Sequence, residues 1–220
     1  MSALPEEPAW RRRAVERSTR AAKVRAEQRV QGLLDSARRL IAEKGTTDFT
    51  VQEVVERSQQ SLRSFYQHFD GKHELLLALF EDALVRCADE VREAASGHGD
   101  PLERLRAGIG SLYEQSRPNP GTGMESPLFS DFALQLLVRQ PAQVATAHLP
   151  LLAILTELIE RAAEAGAIPP GRPRRQASLV MQTVMIAAQG NGVPAGGHAT
   201  PVSAEEVWQF CFTGLSGARP

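Results

Sequence analysis

The chain has 220 residues, 42% of them hydrophobic, with 25 Lys+Arg against 26 Asp+Glu. That suits one large domain, or a small domain joined to a larger one, and excludes a disordered chain. Its two cysteines, Cys87 and Cys211, lie far apart and exclude a disulfide scaffold or a four-Cys zinc site.

The net charge of −1 conceals an asymmetry. Residues 1–72 carry 14 Lys+Arg against 10 Asp+Glu, and residues 73–220 carry 11 against 16. The basic residues are densest at Arg11–Arg29, where eight of them face only Glu16 and Glu27. A basic end on an acidic body suits a polyanionic partner, or else a solvated tail.

In chain order the apolar period is helical. Val30, Leu33, Leu34, Ala37, Leu40 and Ile41 share one face, and Gly45 follows as a C-terminal cap, predicting a helix over 23–44 that can begin earlier through the basic arm. Thr50 and Glu53 read as a capping box, and Phe49 with Val54 as a hydrophobic staple, for a short helix at 51–57. Ser61 caps another short helix holding Leu62, Phe65, Tyr66 and Phe69, which Asp70-Gly71 breaks. A further helix starts near Lys72. Asp100-Pro101 opens a helix running to about Arg117. "PNPGTG" is a loop, and Ser126-Pro127 starts the next helix. Pro150 should kink or split the helical stretch around it. "LLAILTELIERAAEAG" is amphipathic and closed by Gly166. The stretch 176–189 is apolar on more than one side, so it is expected to be well buried. "GNGVPAGGHATP" is a loop, and Ser203 with Glu206 forms a second capping box opening the last helix. No strand alternation and no internal repeat is visible, so the expected fold class is all-α.

Two short helices joined by a turn, beside a basic arm, suggest a helix-turn-helix. The segment Leu33–Phe80 narrows this. Ala37, the "EKG" helix end at Glu43–Gly45, Phe49-Thr50, Phe65-Tyr66 followed by Phe69, and Lys72 before a Leu-rich helix come in an order and spacing that resembles the N-terminal domain of the TetR family of transcription regulators. The resemblance covers about 48 residues; beyond it only helicity and length match.

The resemblance implies three parts: a basic N-terminal arm at 1–22, a three-helix helix-turn-helix DNA-binding domain at 23–72, and a helical ligand-binding and dimerisation domain at 73–220. It implies that 61–68 is the recognition helix, exposing Ser61, Leu62, Arg63, Ser64, Gln67 and His68. Arg63 can pair bidentately with guanine and Gln67 with adenine, and Leu62 can meet a thymine methyl. Ser64 and His68 can reach bases or phosphates. Tyr66 stands where the family places a phosphate-binding hydroxyl, and Lys72 at a helix N-terminus also suits a phosphate. Thr47 and Thr50 can reach the backbone. The Arg11–Arg29 arm can enter the minor groove or lie along phosphates, and helical spacing puts its Arg13, Arg17 and Arg20 on one stripe.

One departure stands out. The family has a small residue and then Gly in the turn, followed by an apolar residue; here the turn is Ser58-Gln59-Gln60. Gln59 then has to take a left-handed conformation without glycine's freedom, and Gln60 can come to lie beside bases.

For the C-terminal part the resemblance implies an effector pocket, with Tyr113, Met124, Phe129, Phe132, Leu136, Met181, Met185 and Gln189 as candidates for a small apolar or amphipathic effector. It implies a homodimer through the last two helices, with Leu179, Val180, Val184, Val207, Trp208 and Cys211 as candidates. A dimer also suits DNA half-sites spaced by a helical turn, roughly 34–36 Å, and so a palindromic double-stranded operator. The expected function is a sequence-specific, ligand-released repressor. The competing reading is a helical interaction protein whose degenerate helix-turn-helix no longer binds DNA specifically.

No two-His zinc motif, nucleophile elbow, phosphate-binding loop or dinucleotide fingerprint occurs, so no catalytic residue, metal or cofactor is expected. No run of about 18 apolar residues occurs, and "MSALPEEPAWRRR" lacks an apolar signal segment, so a cytoplasmic protein without a membrane partner is expected.

Overall fold

The computed structural model describes residues 8–117, 136, 138–190 and 202–217. All regular structure among these residues is helical. The helices are α1 (Ala9–Lys44), α2 (Val51–Ser58), α3 (Leu62–Tyr66), α4 (Lys72–Ser96), α5 (Pro101–Ser116), α6 (Pro141–Ala147), α7 (Leu149–Glu164), α8 (Pro173–Gly190) and α9 (Ala204–Leu215). The helix expected from Ser126 and the loops expected at 118–123 and 191–201 lie outside the described residues.

Helix ends follow the local chemistry. Asp100 caps α5 by accepting from the Glu103 N–H at 2.9 Å, with Pro101 next, where no N–H is missed. Ser203 and Glu206 close the capping box of α9. Gly45 ends α1 at φ +64°, donating its N–H to the Ile41 carbonyl. Gly166 ends α7 at φ +73°, and the paired bonds from Gly166 to Ala163 and from Ala167 to Ala162 make a Schellman motif. Pro150 has the expected effect: α6 and α7 meet at a 46° bend around His148. α8 starts three residues before the predicted stretch, at Pro173.

The chain divides into two compact units. One is the chain up to Leu40 with Phe49–Leu75; the other is Ile41–Asp48 with the chain from Leu76 onward. The core of the first unit is Leu33, Leu34, Ala37 and Leu40 of α1 with Phe49, Val54, Val55, Phe65, Phe69 and Leu75, all buried. Each large apolar side chain here contributes about 1.5–3 kcal/mol through burial. Ser36, a buried polar residue, donates its hydroxyl to the Gly32 carbonyl at 2.8 Å.

In the second unit α5, α7 and α8 pack on one another, α9 packs on α5 and α8, and α6 on α7. Leu105, Ile109, Leu112, Leu151, Leu155, Ile159 and Val184 are fully buried. Gly108 marks a close approach: a Cβ there would lie 2.7 Å from Leu158 Cδ1 and 3.5 Å from Val91 Cγ1. Arg106 of α5 pairs with Glu205 of α9 at 2.8 Å on the surface. No single helix among the described residues is long and apolar enough to cross a membrane.

Candidate nucleic-acid interface

α2 is held at both ends. The Thr50 hydroxyl accepts from the Glu53 N–H at 3.1 Å, and the Thr50 N–H donates to the Glu53 carboxylate at 2.7 Å. Phe49 and Val54, before and after this box, are both buried, completing the predicted staple. At the other end Gln59 has φ 56° and ψ 33°, the left-handed conformation expected of it. Its N–H donates to the Glu56 carbonyl, and the Gln60 N–H donates to that of Val55. This is a Schellman ending built without glycine. The turn therefore closes in the ordinary way despite its unusual sequence.

α3 follows after Ser61, whose hydroxyl accepts from the Ser64 N–H at 3.1 Å. The helix proper is only Leu62–Tyr66; Gln67 continues the turn with its N–H on the Arg63 carbonyl. Five residues cannot hold a helix alone. Phe65, fully buried, and Phe69 anchor it, their rings 5.5 Å apart. Opposite these anchors, Ser61, Leu62, Arg63, Tyr66 and Gln67 are exposed. Leu62 with Tyr66 and Arg63 with Gln67 form two adjacent rows at i, i+4 spacing. Arg63 has no acidic partner among the described residues, which leaves its guanidinium open to an incoming acceptor.

The other candidates divide. Gln60 is half-buried; its amide nitrogen donates to the Arg29 carbonyl of α1 at 2.8 Å, and its amide oxygen accepts from the Ser64 hydroxyl at 3.0 Å. Gln60 and Ser64 thus tie the start of α3 to α1, which is what an apolar residue would otherwise do by packing. Their polar groups are engaged in these bonds. His68 is half-buried, and its Nε2 is enclosed without a hydrogen-bond partner. Thr50 is engaged in its cap, and Thr47 is half-buried in the segment between α1 and α2. Lys72 places its ammonium 4.8 Å from the Phe49 ring centroid, a cation–π contact at the start of α4.

The basic arm is not a separate segment. α1 runs unbroken for 36 residues from Ala9. Arg13, Arg17 and Arg20 are exposed on it as one stripe, with Arg17 Nε donating to the Arg13 carbonyl at 3.3 Å. Arg25 and Arg29, further along the same basic stretch, stand on a different face. They share it with Gly32 at i, i+4, i+7 spacing, where a Cβ would lie 3.3 Å from Gln60 Nε2. Only the partner of Gln60 reveals that this face borders α3.

Residues 33–79 match the family model for bacterial regulatory proteins of the tetR family. The HTH-type transcriptional regulator EthR of Mycolicibacterium smegmatis is 28% identical over 187 residues, covering 81% of this chain and 82% of its own. Residues 33–79 are therefore an N-terminal domain of the tetR family. FadR from Bacillus subtilis, solved with stearoyl-CoA, has a TM-score of 0.61 at 16% identity, over 84% of this chain and 98% of that one. AibR, solved with isovaleryl coenzyme A and operator DNA, has a TM-score of 0.52 at 20% identity, over 85% and 97%. These two structures share its fold.

In the rest of the chain the effector candidates scatter. Met124, Phe129 and Phe132 lie outside the described residues. Leu136 and Met181 are buried, Met185 is half-buried and Gln189 is exposed. Tyr113 is buried and donates its hydroxyl to the Val202 carbonyl before α9. Two surface clefts are formed by described residues: about 610 Å³ beside Leu152, Arg172 and Arg175, and about 290 Å³ beside Arg106 and Trp208. Neither is lined by an effector candidate.

The dimer candidates also divide. Val180, Val184, Val207, Trp208 and Cys211 are buried within the single chain. Burial pushes the Cys211 thiol up to about 11, so it behaves as core. Leu179 is exposed, and so are Ile186, seven residues further along the same helix, and Phe210 of α9. The helical period explains the division: Leu179 and Val180 are about 100° apart around α8.

Proposed function

We propose that this chain is a homodimeric, sequence-specific DNA-binding repressor that a small apolar or amphipathic effector releases. One observation carries the reading: α3 exposes Leu62, Arg63, Tyr66 and Gln67 on a helix anchored by Phe65 and Phe69. Arg63 donates two bonds to a guanine edge, Gln67 pairs with adenine, Leu62 meets a thymine methyl and Tyr66 reaches a phosphate. Lys72 and the α1 arginines add phosphate contacts. Gln60 and Ser64 set the angle of α3.

Dimerisation uses Leu179, Ile186 and Phe210, an exposed apolar set on the last two helices. A two-fold axis through that face makes the contact self-complementary. The effector binds in the second unit and biases helix packing against the DNA-bound arrangement, so that effector and DNA weaken each other's binding reciprocally. The complexes of FadR with stearoyl-CoA and of AibR with isovaleryl coenzyme A favour acyl-CoA as the first effector class to try.

The test is retention of the purified protein on the DNA upstream of its own gene, with and without a short- and a long-chain acyl-CoA. Preferential retention over scrambled DNA, lowered by one of them, is the expected result. Retention that no acyl-CoA lowers removes that effector class, and equal retention on both DNAs removes sequence-specific regulation at that site.

A further inference from the structure

The reading of this chain as a DNA-binding regulator leaves open how its basic N-terminal segment meets the nucleic acid. We propose that residues 9–29 bind DNA as a preformed helix laid against the phosphate backbone beside the half-site, with Arg25 and Arg29 as its main phosphate contacts. The inference rests on that reading and specifies which α1 arginines make its phosphate contacts and in what conformation.

Three observations lead there. First, the segment is continuous with α1 and helical from Ala9 onward. Twenty residues of helix extend about 30 Å, with a diameter of about 10–12 Å. The DNA minor groove is only about 6 Å wide, so a helix cannot thread it as an extended arm does. Of the two modes open to the basic stretch in the sequence, the helix suits only the phosphate backbone.

Second, the segment has much charge and, among the described side chains, little burial. Eight basic residues face two acidic ones between Arg11 and Arg29. Side chains such as Trp10, Arg13, Arg20, Arg25 and Arg29 are exposed. Lys23 and Glu27 pair at 3.8 Å, both exposed, whereas Arg13, Arg20, Arg25 and Arg29 have no acidic partner among the described residues. Arg25 and Arg29 also form a like-charged i, i+4 pair, which disfavours the free helix and which phosphates would relieve.

Third, the helix is pinned to the reading element. The Gln60 amide bonds the Arg29 carbonyl at 2.8 Å, one residue before the Ser61 cap of α3. Arg25, Arg29 and Gly32 share the face that meets Gln60. A protein placing α3 in the major groove therefore brings Arg25 and Arg29 to the flanking backbone. Arg13, Arg17 and Arg20 lie on another face and contribute less.

The experiment uses the full chain on its upstream DNA and on scrambled DNA, across a salt series. Arg25→Ala with Arg29→Ala is expected to weaken binding equally on both DNAs and to flatten the log–log salt slope by about 0.9 per lost phosphate contact, roughly 1.8 per bound protomer. Arg25→Lys with Arg29→Lys keeps the slope. Ala22→Pro preserves every charge but breaks the helix. It should weaken binding, because the arm acts as a helix; an extended arm would tolerate it. Circular dichroism and the thermal midpoint of each variant guard against loss of the fold. A parent protein that binds DNA, with an unchanged slope in the Arg25/Arg29 alanine variant, overturns the inference alone. Capture of the parent by anionic vesicles, with no salt-sensitive DNA retention, overturns both the inference and the regulator reading.

Discussion

Gln59 occupies the left-handed position that glycine takes at the ends of α1 and α7. A non-glycine residue there costs about 1–2 kcal/mol, while glycine costs about 0.4–1 kcal/mol through the unfolded chain. The difference favours glycine. Gln59→Gly is expected to stabilise the protein by about 0.5–1 kcal/mol, read as a higher thermal midpoint with an unchanged helical signal. An unchanged or lower midpoint would mean that the exposed Gln59 side chain contributes something its surroundings do not show. The resemblance made this backbone conformation legible, because it aligns Gln59 with the family's turn glycine. It did not make the role of Gln60 legible. Its partner, Arg29, is 31 positions away, and no local pattern specifies a hydrogen bond across that distance.

Helix starts and stops were the most readable elements, because they depend on residues within one turn. Thr50, Asp100, Ser203 and Gly166 each act through bonds of three to five residues' reach, the first three starting their helices and Gly166 ending its own where the pattern indicates. Facing was harder. α8 is apolar on several sides, so the pattern alone did not separate Val180 and Val184, which point into the unit, from Leu179 and Ile186, which point out. The unit's packing makes that choice, and Gly108 shows how close the packing is. Leucine at 108 would drive a side chain into Leu158 and Val91 where even a Cβ lies 2.7 Å from Leu158 Cδ1. Gly108→Leu is expected to cost about 1–3 kcal/mol or more in overpacking, seen as an earlier urea midpoint. Gly108→Ala should cost far less, because the atom it meets is the movable end of a leucine. Equal stability of the two variants would contradict the close approach of α5 to α7.

For the whole molecule, the resemblance at 33–80 identified the DNA-reading part from residues that form its core and caps, namely Ala37, Phe49, Thr50, Phe65 and Phe69. Effector candidates could not be told from core in the sequence, because pocket-lining and core side chains have the same composition. The assembly can be tested through the face left exposed. Ile186→Glu with Phe210→Glu puts charge on side chains already in solvent, so folding should survive. The expected result is a monomer in light scattering, with DNA retention reduced by at least tenfold at fixed protein concentration. A dimer of undiminished DNA affinity would move the interface elsewhere.

Sequence reading by α3 turns on Arg63 in the proposed function. Binding of the parent protein and of Arg63→Ala to the upstream DNA and to scrambled DNA, at matched salt, tests it most directly. The parent is expected to prefer the upstream DNA, and Arg63→Ala to lose about 1–3 kcal/mol on that DNA while scrambled DNA loses little, so that the preference shrinks. An equal loss on both DNAs would make Arg63 a phosphate contact, and no preference by the parent would contradict sequence-specific reading of that DNA.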